Sequence, residues 1–166
     1  MHRRHRLLIL SCSARKHRVT GEVTAWDLYD GVAFRVVKQL QREGQFPDDV
    51  HVLILSAQYG LIPPHRKISF YDLRMTQELA VRQATRNCMR LRTARHRGSY
   101  REVFVNAGQT YLAGLQPIAA WLLDGVTFRV ASGGIGQKLH EMKWWLLSSD
   151  MASTSGDHLV YNCILG

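Results

Sequence analysis

The sequence predicts an α/β domain with a mainly parallel sheet of four to five strands between two layers of helices. Two observations predict it. Short, continuous apolar runs recur along the chain, each ending in small polar residues. Helix-length segments with apolar residues at helical spacing separate them. Continuous apolar runs suit strands buried on both faces, and alternation of strand and helix gives parallel crossovers.

The first run, Arg6-Leu7-Leu8-Ile9-Leu10, ends in Ser11-Cys12-Ser13. A helix follows over Ala25–Arg42, with Trp26, Tyr29, Ala33, Val36, Val37 and Leu40 on one face and Gly44 and Pro47 as its stop. The second run, His51–Leu55, ends in Ser56-Ala57. The next helix runs over Thr76–Arg95, with Thr76 as its N-cap. The third run, Glu102–Val105, ends in Asn106-Ala107-Gly108, and a helix over Gln109–Leu123 contains Pro117, which kinks or resets it. The fourth run, Val126–Val130, leads through Ala131-Ser132-Gly133-Gly134 into a helix over Gly136–Leu147. Residues 1–166 read as one domain with its core at 6–147, and 148–166 as a C-terminal tail or late edge strand around Leu159-Val160-Tyr161.

Composition narrows the function. The 22 Lys and Arg against 13 Asp and Glu leave a formal charge of +9, which suits a polyanionic partner. Three cysteines, Cys12, Cys88 and Cys163, lie far apart without a CxxC, which argues against a disulfide framework and a zinc cage. No acidic cluster or histidine spacing suggests a metal, and no cofactor is expected. No segment reaches the roughly 20 apolar residues of a membrane span. The basic lead-in His2–Arg6 is followed by an apolar run too short for a signal peptide. A monomer in a reducing cytoplasm is expected.

Open parallel sheets bind ligands beyond the carboxyl ends of their strands, and the polar motifs fall there. Cys12 and Ser13 follow the first strand, with Lys16 four residues beyond Cys12 and placed to meet a phosphate or substrate. Ser56 and the turn Gln58-Tyr59-Gly60 follow the second, where Tyr59 can stack on a base. Tyr71 and Asp72 lie in the loop before the second helix. Asp72 is the first candidate for a catalytic carboxylate that orients water or stabilises a cationic transition state, and Asp30 is the reserve. Asn106 offers a donor and an acceptor to a base edge, beside Gly108 and Tyr111. Gly133 and Gly134, with Gln137 and Lys138, form a glycine turn before a helix, an anion site in outline that lacks the order of a P-loop.

From Leu79 to Arg101 there are seven arginines and no acid. Arg82, Arg86 and Arg90 recur every four residues and form one stripe, which backbone phosphates would neutralise.

The set Cys12-Ser13-x-x-Lys16, Leu55-Ser56-Ala57-x-Tyr59-Gly60-Leu61-Ile62 and Tyr71-Asp72-x-x-Met75 resembles a small bacterial and phage domain family. That family is similar to the uracil-DNA glycosylase-like superfamily and to the Cys-Ser-x-x-Lys domain of archaeal tRNA deazaguanine-modifying enzymes. The resemblance covers most of residues 6–138, although the Gly-x-Asp-Pro-Tyr and His-Pro-Ser glycosylase signatures are absent. It implies a DNA glycosylase that flips a modified base into the strand-end crevice, in the manner of an anti-phage enzyme acting on phage DNA. Asp72, Asn106 and Lys16 would then be catalytic, and Arg82, Arg86 and Arg90 would grip DNA. A non-catalytic nucleic-acid-binding module and a nucleotide or nucleoside hydrolase or transferase are the alternatives.

Overall fold

The structure, a computed structural model, describes residues 5–116 and 125–148. Four parallel strands form where the apolar runs are: β1 (His5–Ser11), β3 (Val50–Ser56), β6 (Tyr100–Asn106) and β7 (Thr127–Val130). A short strand, β4 (Gly60–Ile62), turns back antiparallel along β3, giving the sheet order β4-β3-β1-β6-β7. A separate two-stranded ribbon pairs β2 (Glu22–Thr24) with β5 (Lys67–Ser69). The helices are α1 (Ala25–Leu28), α2 (Val32–Arg42), α3 (Gln77–Gly98), α4 (Gln109–Leu112) and α5 (Ile135–Leu147), with a 3₁₀ turn at Ala113–Leu115.

Side-chain alternation along β1 divides the core into two layers. Leu8 and Leu10 join Phe34, Val37 and Leu40 of α2 and Met142, Trp145 and Leu146 of α5. Leu7 and Ile9 join Val103 and Val105 of β6, Leu91 of α3 and Leu115 of the 3₁₀ turn. The result is three layers, with the sheet between α2 and α5 on one face and α3 on the other. From β1 the chain passes to β3 on one side, and from β3 it crosses to β6 on the other. The reversal puts a topological switch point between β1 and β6, where such sheets open a ligand crevice.

The helix expected over Ala25–Arg42 is two helices. Between them Tyr29 pairs with Lys16 as an isolated antiparallel bridge, and the Asp30 N–H donates to the Arg15 carbonyl at 3.1 Å. A Cβ on Gly31 would collide with the Ser13 side chain, so only glycine lets the β1 loop pack into the break. The third expected helix is also shorter: α4 passes into the 3₁₀ turn at Ala113, and residues 117–123, with Pro117, lie outside the described residues. So do the tail from residue 149 and Cys163. Among the described residues no helix is long and apolar enough to cross a membrane.

The amino ends of the strands are tied by one buried cation. Arg6 is 3% exposed and grips Asp49 through two hydrogen bonds, Nε to Oδ2 at 2.9 Å and Nη2 to Oδ1 at 3.0 Å. Its Nη1 donates to the Trp145 carbonyl at 2.7 Å, satisfying the carboxyl end of α5. Arg101 of β6 adds a second cation to Asp49 at 3.2 Å. The Arg6 hydrogen bonds lead in holding the Asp49 carboxyl below its usual range. Asp49→Asn is expected to cost about 3 kcal/mol at pH 7, because it leaves a buried guanidinium unpaired. Since the folded carboxyl is depressed, this stability is present above the unfolded value near 3.9 and lost as pH falls through the folded one. Urea unfolding at pH 7 and below pH 4 checks both the loss and its disappearance in acid.

Candidate functional site

β3 ends on Ser56, which is fully buried. Its Oγ accepts the N–H groups of Gln58 at 3.2 Å and Tyr59 at 3.1 Å, closing the turn that follows the strand. The Tyr29 hydroxyl donates to the same oxygen at 3.0 Å. The Tyr71 hydroxyl lies 2.7 Å from Tyr29 Oη and 2.9 Å from Ser56 Oγ. A hydroxyl has one proton and two lone pairs. The Tyr29 proton is spent on Ser56 while the two backbone N–H groups share the other Ser56 lone pair, so the Tyr71 proton goes to Tyr29 and the Ser56 proton to Tyr71. The three hydroxyls form a closed ring. Burial, and then the nearby Cys12 sulfur, push the Tyr29 and Tyr71 phenols far above their ordinary range. The ring is therefore neutral and holds Tyr71 in one orientation.

The face of Tyr71 carries Lys16, whose Nζ sits 4.6 Å from the ring centre. Lys16 has no carboxylate partner among the described residues. Tyr59 meets Tyr71 edge-on, with ring centres 5.6 Å apart. On the other side Cys12 Sγ accepts the Ala57 N–H at 3.4 Å and lies 3.1 Å from the Tyr111 hydroxyl. Burial raises that phenol too. The site is thus a wall of neutral hydroxyls and aromatic rings at the ends of β1 and β3, carrying a single ammonium.

The structure gathers Cys12, Lys16, Ser56, Tyr59, Tyr71 and Tyr111 here. Ser13 stands beside the cluster, its Oγ donating to the Arg15 carbonyl at 2.5 Å. Gly60 has φ +71° and is crowded by Asn87, so the turn after β3 needs glycine. Gly108 precedes α4 as its exposed N-terminal residue. Asp72 follows Tyr71 and is exposed, with no hydrogen-bond or ion-pair partner among the described residues. Asn106 is nearly buried and spends its Nδ2 on Met142 Sδ at 3.3 Å, toward α5. Asp30, the reserve carboxylate, is occupied. Arg35 grips it at 2.6 and 3.0 Å, Arg15 lies at 3.1 Å and His17 at 3.8 Å. The Arg35 hydrogen bonds, offset in part by desolvation, lower its carboxyl to about 2.

The glycine turn is filled from within. Glu141 accepts the Ser132 N–H at 3.0 Å and the Ser132 hydroxyl at 2.7 Å. Gln137 lies against Gly133 and donates to Glu141 at 3.0 Å. A carboxylate thus sits at the turn where an anion was expected. Lys138 donates to the Ala107 carbonyl at 2.9 Å and ties α5 to the end of β6. Along α3, Arg82 and Arg86 are exposed, but Arg90 turns inward and donates to the carbonyls of Tyr59 at 2.6 Å and Leu61 at 3.1 Å.

Sequence reasoning passed over three residues that build the site. Tyr29 falls at one more apolar position of a helical pattern. Gln83 donates to the Ala57 carbonyl at 2.7 Å, and Asn87 joins the Leu61 N–H to the Gly114 carbonyl at 2.8 and 3.1 Å. Two amides four apart, offset by one position from Arg82 and Arg86, were the available signal for a polar seam under β4.

Fold and site together define an α/β domain with a cluster of hydroxyls and tyrosines at its strand ends. The chain belongs to DUF6884, a family of unknown function, whose pattern matches residues 7–144. No curated protein matches it. Among solved structures it is similar to AF0587, a protein of unknown function, with 12% identity and a TM-score of 0.52. The match covers 87% of this chain and 45% of that one, so the chain spans less than half of AF0587. That likeness is one of fold.

Ser56→Ala removes the acceptor of two backbone N–H groups and opens the hydroxyl ring. A stability loss of about 1–3 kcal/mol is expected, the cost of stranding buried polar groups. Tyr29→Phe, which leaves the turn intact, is expected to cost about 1 kcal/mol. Urea unfolding of the two variants checks the order.

Proposed function

We propose that the chain is a DNA glycosylase of uracil-DNA glycosylase-like fold, hydrolysing the N-glycosidic bond of a modified base and leaving an abasic site. The observation that carries this reading is the Lys16 ammonium over the braced Tyr71 ring without a carboxylate of its own. Such a pair suits a planar group that gains negative charge. A net charge of +9 and the exposed Arg82 and Arg86 suit its attachment to a phosphate backbone. The base is extruded from the stack into the crevice and lies against the tyrosines. As the C1′–N bond breaks, the base leaves with the bonding electrons and is protonated from Lys16. Water adds to C1′, its proton passing to Asp72, and the sugar becomes a hemiacetal. Exchange with solvent restores both groups. Asn106, through its free oxygen, reads the base edge. Phage DNA with bulky base modifications, in a setting of anti-phage defence, is the substrate to test first.

A second reading, a nucleic-acid-binding module without catalysis, is favoured by the carboxylates. Asp72 lacks a positioning partner among the described residues, and Asp30 is held by two arginines with His17 nearby.

The test incubates wild type, Lys16→Met and Asp72→Asn with unmodified, uracil-containing and hypermodified phage DNA, and counts free bases and alkali-labile sites. Wild type is expected to release base from one of these. Each variant is expected to be slower by about 100-fold or more, as for loss of an acid or base. Salt-sensitive binding without release from any DNA rejects the glycosylase in favour of the module.

A further inference from the structure

Three arginines far apart in sequence or in role meet beside Tyr59. The Arg66 guanidinium lies over the Tyr59 ring, 5.6 Å from its centre. Arg90 Nη1 holds the carbonyls of Tyr59 and Leu61, which leaves its Nε and Nη2 donors unspent. Arg86 Nη2 and Arg90 Nη1 each come within 3.4 Å of the same point, the Cβ position above Gly60. Those two nitrogens are therefore within about 7 Å of each other. None of the three arginines has a carboxylate partner among the described residues. Burial first, then repulsion from Arg86 and Arg66, pulls the Arg90 guanidinium below its ordinary range.

Like charges brought together without a counter-charge cost stability, and the carbonyls that Arg90 holds and the ring under Arg66 do not neutralise them. A phosphate accepting one charge-assisted hydrogen bond of about 2.8 Å from Arg86 and another from the unspent Nε or Nη2 of Arg90 bridges the two. We propose that Arg66, Arg86 and Arg90 form a clamp for one backbone phosphate of a nucleic-acid strand, next to the nucleotide whose base enters the crevice. This rests on the nucleic-acid reading above, and it places the strand across Tyr59, whose ring touches Tyr71 and so adjoins Lys16. Arg82 is not part of the clamp. The arginine repeat on α3 thus divides into a brace that also binds (Arg90), a clamp residue (Arg86) and an exposed cation outside the clamp (Arg82), and Arg66 joins from the loop before β5.

The test is fluorescence anisotropy with a labelled 12-nucleotide DNA, single-stranded and duplex, over a salt series. It compares wild type with Arg66→Gln, Arg86→Gln and Arg18→Gln. Arg90 is left in place because it holds β4. Arg18 is exposed and removes the same charge elsewhere. Arg66→Gln and Arg86→Gln are each expected to weaken binding about tenfold and to lower the salt slope by about one, with Arg18→Gln changing affinity less than twofold. Equal effects of all three variants, or no binding by wild type, overturn the clamp. Displacement of the DNA by adenosine monophosphate at concentrations matching the oligonucleotide assigns the site to a free phosphate and also overturns it. The readout needs no base release. Clamp variants that lose affinity in a protein releasing no base would sink the glycosylase alone.

Discussion

Everything at the carboxyl ends of the strands depends on what Arg6 does at the amino ends. A guanidinium buried among apolar residues is tolerated only with its partners in place. Here the partners come from the segment before β3, from the last turn of α5 and, through Asp49, from β6. The two central pairings thereby share one fixed point. Side chains alternate with a period of two, so a slip of one residue in β1 would send Leu8 and Leu10 into the layer of Leu7 and Ile9. It would also carry Cys12 away from Ala57 and Tyr111.

The two ends of the sheet use opposite means. At the amino ends rigidity comes from charge. At the carboxyl ends it comes from neutral groups, Ser56, Tyr29 and Tyr71, whose burial holds their protons in place. The consequence for chemistry is that Lys16 meets no carboxylate in the cluster. Lys16 is half-buried, and an ammonium so placed acts on an incoming group more strongly than the same ammonium on an open surface.

The parts of this arrangement that were legible in the sequence are those with a period. The four parallel strands were legible because strands buried on both faces must be apolar throughout. α3 was legible from its N-cap and spacing. β4 was not, because Gly60-Leu61-Ile62 before two prolines reads as a turn, and its pairing depends on Asn87 and Arg90 from 25 or more residues away. The break between α1 and α2 was hidden because Gly31 falls within an apolar helical pattern, and its cause lies across space at Ser13. The strand-end location of the site was legible, as were Lys16, Ser56 and Tyr71. The hydroxyl ring was not, since Tyr29 and Tyr71 are separated by 42 residues. The Glu141 carboxylate in the glycine turn was missed for the same reason: sequence shows a turn able to hold an anion, and not which anion it holds.

The hydroxyl ring has one further property. Its protons could circulate in either direction if Tyr29 were free, but the Tyr29 hydroxyl donates to Ser56 and leaves only one. The three side chains are then a single unit of inheritance. Losing one hydroxyl strands a donor and an acceptor on its neighbours, whereas exchanging all three for apolar groups strands only the turn. Across relatives of this chain the serine and the two tyrosines would be kept or replaced as a set.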